Sequence, residues 1–133
     1  MIKPYDKAGK IIGCAMKVHG ALGPGFLESV YEKALTIELR KAGMRAELQK
    51  PLQVFYDGEV VGDFVADLIV DNETIVENKA VSALTKAHEV QLVNYLTATR
   101  IDDGLLLNFG AERLQYKRKF RTIKRSTSDD KTE

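Results

Sequence analysis

Apolar residues recur at helical intervals in the first third of the chain and at alternate positions after it, so the pattern predicts helices first and strands next. Between Lys7 and Leu22, the residues Ile12, Ala15, Met16 and His19 share one helical face, and Gly23-Pro24-Gly25 stops the helix. A second helix is predicted from Phe26 to Lys41, with Leu27, Val30, Ala34 and Ile37 at the same spacing and Gly43 as its stop. Strands are then expected over Arg45–Tyr56, Glu59–Val70 and Thr74–Val81, joined by turns at Asp57-Gly58 and Asp71-Asn72-Glu73. These three make an antiparallel meander. A third helix is predicted from about Leu84 to Arg100, with Val90, Val93 and Leu96 inward. Gly104 opens the apolar strand Leu105–Phe109, and a strand near Leu114–Phe120 closes the set. This order reads as an α/β sandwich with a mixed central sheet flanked by helices, rather than a doubly wound βαβ fold.

Charge interrupts the apolar pattern in the middle of this sheet. In the second strand Val65, Asp67 and Ile69 fall on one face and Phe64, Ala66, Leu68 and Val70 on the other, and both faces look buried. In the third, Ile75, Glu77, Lys79 and Val81 share a face. If the turn is the three residues Asp71-Asn72-Glu73, Val70 faces Thr74, Ile69 faces Ile75, Asp67 faces Glu77 and Val65 faces Lys79. Two carboxylates and an ammonium then sit among aliphatic side chains, which costs several kcal/mol per ion unless they are paired or hold a metal. One reading is a buried ion pair between Lys79 and one acid, which leaves the second carboxylate unexplained. The other is a hard divalent cation, Mg²⁺ or Mn²⁺, held by Asp67 and Glu77, with Lys79 nearby to orient or deprotonate a water and offset phosphate charge.

Composition allows one domain of 133 residues with 44% hydrophobic and 29% charged side chains. The boundary is expected at residue 122, with 123–133 a disordered tail, basic and then acidic. The single cysteine, Cys14, excludes an internal disulfide and a thiolate cluster. With no signal pattern and no apolar run near the roughly 20 residues that span a bilayer, a soluble cytoplasmic protein is expected. Net charge is +1, but residues 117–133 hold seven Lys/Arg against three Asp/Glu, and the remaining thirteen and sixteen leave residues 1–116 at −3. Lys117, Arg118, Lys119 and Arg121 are candidate phosphate contacts, although the same run suits a solvated edge strand.

At Gly25-Phe26-Leu27-Glu28-Ser29-Val30-Tyr31 the chain resembles the signature of the GxxExxY proteins, a group within the PD-(D/E)xK nuclease superfamily. Val18-His19, Leu22-Gly23-Pro24-Gly25, Asp67, Val76-Glu77-Asn78-Lys79-Ala80, Gln91 to Leu96 and Gly104 to Gly110 extend the likeness over about residues 8–122. The resemblance implies a restriction-endonuclease-like core, with Asp67 and Glu77 as metal ligands, the Asn78 backbone carbonyl as a further ligand and Lys79 as catalytic lysine. It also implies Glu28 as the acid from the first core helices, with a place at the metal, and Gln91 as a helix residue beside the site. Asn78 stands where an apolar residue is more usual. Glu28, Tyr31 and Leu35 on one helix and His88, Gln91 and Tyr95 on another make matching polar stripes at i, i+3 and i+7. His19 is expected to be a hydrogen-bonded core histidine, and His88 stays undecided. The expected function is metal-dependent hydrolysis of phosphodiester bonds, with DNA the favoured substrate and a homodimer the expected assembly. The rival readings are a catalytically silent nucleic-acid- or protein-binding domain on the same fold, and an accessory role on RNA in a larger complex.

Overall fold

A computed structural model describes residues 5–121, so the expected tail at 123–133 lies outside the described residues. Along the chain run α1 (Lys7–Leu22), α2 (Glu28–Lys41), β1 (Ala46–Tyr56), β2 (Glu59–Val70), β3 (Thr74–Lys79), α3 (Lys86–Thr99), β4 (Asp103–Asn108) and β5 (Gln115–Phe120). The strands form one mixed sheet in the order β1-β2-β3-β4-β5. Neighbours are antiparallel except β3 and β4, which α3 joins by a crossover and which pair in parallel. The β2–β3 turn is tight because Asp71 and Asn72 both take left-handed backbone angles, φ 53° and 57°. Val70 therefore pairs with Thr74 and Ile69 with Ile75, the register expected from the turn length.

Three layers result. Helices α1 and α2 cover one sheet face, where Ile11, Ala15, Tyr31, Leu35, Leu39, Leu68, Val76, Leu105 and Phe109 form the larger core. Helix α3 covers the other, over Phe64, Ala66, Ile75, Leu92, Leu96 and Leu106. The inward face of α2 differs from the one expected, while α1 and α3 keep Ile12, Ala15 and Leu96 inward as expected but are rotated from the rest of the expected stripe. In α2 the buried residues are Tyr31, Glu32, Leu35, Thr36 and Leu39, while Leu27, Val30 and Ile37 are exposed. Both sets have helical spacing, and the side carrying Tyr31 wins because that ring stacks on Phe109 at 4.6 Å and 10°. In α1 the buried stripe is Ala8, Ile11, Ile12, Ala15 and Val18, with Met16 exposed, and in α3 Leu92 and Leu96 turn inward while Val90 is half exposed.

The β1–β2 hairpin is longer than the sheet and serves both layers. Leu48 and Leu68 pack under α1 and α2, whereas Leu52, Phe64 and Ala66 pack against α3, although strict alternation would put all of them on one face. The reversal lies at Gln49, whose left-handed φ of 50° breaks the alternation and drops the Gln49–Asp67 rung from the ladder. Val65 and Ile69 consequently do not share a face with common burial, since Ile69 is buried and Val65 is half exposed.

Between α1 and α2 the Tyr31 hydroxyl donates to the Gly23 carbonyl at 2.6 Å and accepts from the Phe26 N–H at 3.1 Å. Both ends of the Gly23-Pro24-Gly25-Phe26 turn thus hang on one hydroxyl. Tyr31→Phe removes two hydrogen bonds without changing the packing, and urea unfolding is expected to show a loss of about 1–2 kcal/mol. A change within a few tenths would mean that the turn is held by its backbone alone.

Candidate active site

Backbone pairing between β2 and β3 stops at Leu68–Val76, while β3 continues beside β4 to Lys79 and Asn108. The sheet forks here. Two carboxylates replace the missing rungs: the Asp67 N–H donates to Glu77 Oε2 at 3.0 Å, and the Asn78 N–H donates to Asp67 Oδ2 at 2.8 Å. Each acid is fixed by the backbone next to the other. Because the N–H and C=O of a strand residue point the same way, the Asn78 carbonyl also faces the fork. Asp67, Glu77 and the Asn78 backbone are therefore brought together by side-chain bonds rather than as the opposed rungs expected, the Val65–Lys79 rung is not formed either, and the Lys79 charge is close enough to act on Glu77.

A further acid joins them. Glu32 of α2 is buried beside Asp67, with which it shares a side-chain hydrogen bond, and its Oε1 accepts from Gln49 Nε2 at 2.9 Å. The reversal at Gln49 is what turns Gln49 and Asp67 toward α2. Sequence reasoning missed Glu32 because it took the Leu27-Val30-Ile37 stripe as inward. The available signal was an acid one turn after Glu28 and three residues before Leu35, on the stripe that is buried.

The electrostatics are those of a site short of positive charge. Burial, and then the neighbouring Asp67, push the Glu77 carboxyl up to about 8, with Lys79 opposing the rise. Burial and Asp67 likewise raise Glu32 to about 7, with Glu28 adding to the effect. The two acids hold protons near neutrality because no sufficient cation is beside them. A divalent ion fits this donor set: hard oxygens from Asp67, Glu77 and the Asn78 carbonyl, with Glu32 alongside. Among the described residues, no three acidic, His or Cys side chains converge on one ion position.

The other expected residues lie around the fork or away from it. Glu28 is exposed at the start of α2, one turn before Glu32, and reaches the cluster through its charge. Gln91 is exposed on α3, where its Nε2 donates to the Tyr95 hydroxyl at 3.0 Å, and Tyr95 stacks on Phe64 at 3.8 Å. His88 closes a capping box at the start of α3, its Nδ1 accepting from the Thr85 N–H, and His19 bonds the Ala111 carbonyl at 2.9 Å. In β5 the register pairs Gln115 with Asn108 at the site end and Phe120 with Asp103 at the far end. At about 3.3 Å per residue, Lys119 is roughly 13 Å from the Gln115 rung. Arg118, Lys119 and Arg121 pair with Asp103, Glu89 and Asp102, while Lys117 is exposed and in no direct ion pair among the described residues.

A family model described as the PD-(D/E)XK nuclease superfamily matches residues 5–120. A solved structure described as "Crystal structure of SSO0001" is similar with a TM-score of 0.56 at 18% identity, over 72% of this chain and 50% of that chain. The chain thus spans half the length of that protein, and the likeness shows the fold. No curated protein matches.

Proposed function

We propose, for a chain that belongs to the PD-(D/E)XK nuclease superfamily, that it hydrolyses phosphodiester bonds in DNA using Mg²⁺ or Mn²⁺ held at Asp67 and Glu77. The observation that carries this reading is the fork: two carboxylates bonded to each other's backbone, two acids with raised pKa values, and a lysine beside them. When bound, the cation would polarise the phosphate and its own water. Asp67 and Glu77 are oriented for it by the bonds that each accepts from backbone N–H groups. Lys79, on the same strand as Glu77, offsets phosphate charge and orients the attacking water. Glu32 and Glu28 line the α2 side, where Glu32 is suited to take up the proton that the water gives away. Gln91 and the exposed Lys117 are assigned to the nucleic-acid strand, with Lys117 closer to the site end of β5 than Lys119 or Arg121.

Within the superfamily we assign the chain to the GxxExxY group, supported by the heptad Gly25–Tyr31, whose tyrosine ties down the turn in which its glycine lies. A cytoplasmic homodimer belongs to the same proposal. Its support is a single unpaired cysteine and the exposed Tyr56, Val60 and Val61 at the hairpin tip.

The test is cleavage of linear, circular and single-stranded DNA and of RNA, each with Mg²⁺, Mn²⁺ or EDTA. Cleavage of DNA that EDTA stops and Lys79→Ala lowers by about 100-fold or more is the expected result. Retention of DNA in a gel shift with no cleavage in any metal would assign the chain to a silent binding domain instead. Cleavage that survives Lys79→Ala undiminished would overturn the site.

A further inference from the structure

The Lys79 ammonium is a charge without a tether. Among the described residues no hydrogen bond or ion pair holds it, and it acts on Glu77 through its charge. Its direction is therefore set by the backbone on either side. On the N-terminal side that backbone is the β3–β4 ladder, but β3 ends at Lys79. On the C-terminal side the chain enters a loop, and a loop residue would ordinarily move more than the strand before it.

This loop is gripped from below. Asn108, the β4 residue paired with Lys79, is fully buried, and its side-chain amide makes four hydrogen bonds. Oδ1 accepts from the Val81 N–H at 2.9 Å and the Gly110 N–H at 3.0 Å. Nδ2 donates to the Val81 carbonyl and to Gln115 Oε1, both at 2.9 Å. A side-chain amide bonded to both the N–H and the C=O of one residue does what a neighbouring strand does, so it carries parallel pairing past the end of β3. Gln115 Oε1 also accepts from the Leu84 N–H at 3.0 Å, and the Phe109 N–H donates to the Lys79 carbonyl at 2.9 Å. The approach is close enough that a Cβ on Gly110 would meet the Val81 nitrogen at 2.4 Å. The grip touches residues 79, 81 and 84 and leaves Asp67 and Glu77 to their own bonds.

We propose that Asn108 is a positioning residue for Lys79: its buried amide pins the backbone leaving β3 and thereby fixes where the ammonium points in the fork. The proposal rests on the reading of Lys79 as part of a nuclease site. Gln115 is the second half of the device, since it closes Asn108 onto Leu84 at the entry to α3. Asn108→Asp keeps the shape and both accepting bonds, but sets a carboxylate against the Val81 carbonyl and Gln115 Oε1 where a donor stood. Gln115→Glu keeps both accepting bonds and serves as the conservative control.

The experiment joins hydrogen exchange, kinetics and the NMR signal of Lys79 after reductive ¹³C-methylation, which preserves its charge. In Asn108→Asp the Val81 and Leu84 amides are expected to exchange at least about tenfold faster. In the same variant kcat is expected to fall about 10- to 100-fold, with KM and Mn²⁺ affinity within about threefold of wild type. The methyl-lysine resonance of residue 79 shifts or broadens while the other lysines keep theirs, and Gln115→Glu behaves as wild type. If Asn108→Asp does not fold, Gln115→Leu breaks the same device from its half-exposed end and is read by the same three measurements. Faster exchange with unchanged kcat and an unmoved Lys79 resonance would overturn the proposal, as would Mn²⁺ affinity falling in step with kcat. Should wild type cleave nothing, the nuclease reading fails by itself, and the Lys79 resonance and amide exchange still decide whether Asn108 positions the lysine.

Discussion

Glu77→Gln is expected to lower metal-dependent cleavage by about 10²- to 10³-fold and, in the same protein, to raise stability in alkaline solution. The two effects have one cause. Glutamine keeps the length of the side chain, and its carbonyl oxygen still accepts from the Asp67 N–H, but it brings no charge to a metal. The gain in stability follows from the direction of the Glu77 shift. Its carboxyl titrates at about 8 in the fold against an ordinary 4.5. Between those pH values the folded protein keeps a proton that the unfolded chain has released, so stability contributed by this group falls as pH rises through the window and is level above about 8. At about 1.4 kcal/mol per pH unit the full loss is on the order of 5 kcal/mol for this buried carboxyl. The variant does not suffer it. Urea unfolding of both proteins at pH 5 and pH 9 measures the difference, which should be small at the lower pH and large at the higher. A variant no more stable than wild type at pH 9 would mean that Glu77 is better solvated than its 9% exposure implies.

Mn²⁺ binding at pH 7 is expected to release between one and two protons. Glu77, at about 8, is mostly protonated there, and Glu32, at about 7, is half protonated. A cation beside Asp67 expels both. Affinity should therefore rise steeply between pH 6 and pH 8, by between about tenfold and a hundredfold per pH unit where one to two protons leave, and level off beyond. Calorimetry in two buffers of different ionisation enthalpy reads the proton count from the difference in heat. Equal heats in both buffers would show that the acids are already ionised and that the fork is not short of positive charge. The metal should also restore stability that wild type loses at high pH. The melting temperature is thus expected to respond to Mn²⁺ more at pH 9 than at pH 6, and EDTA should reverse the gain.

Some of this site was legible because it depends on local arithmetic. A three-residue turn and a two-residue period place Asp67 and Glu77 together without knowledge of the rest of the fold, and the sheet keeps that register as far as Leu68–Val76. Glu32 was hidden for a different reason. Helix α2 offers two apolar stripes of equal spacing, and the choice between them is made by Phe109, seventy-eight residues from the Tyr31 it stacks on. The face reversal at Gln49 was hidden too, since nothing in a glutamine between strand residues announces a positive φ. The basic run in β5 was visible as composition, but the acids that pair with it lie elsewhere in the sequence, Glu89 on α3 and Asp102 and Asp103 where β4 begins. A charge run gives the supply of cations and says nothing of which are already engaged.

The backbone reversal at Gln49 divides the long hairpin into a root that belongs to one layer and an arm that belongs to the other. Evolution or engineering can therefore trim or lengthen the arm from its Asp57-Gly58 tip by one residue on each side at a time, leaving the root and both anchored acids in register. An unpaired insertion between Lys50 and Leu52 would do the opposite. It would turn the arm inside out, presenting Leu52 and Val54 to solvent, while the acidic fork a few residues away stayed as it was.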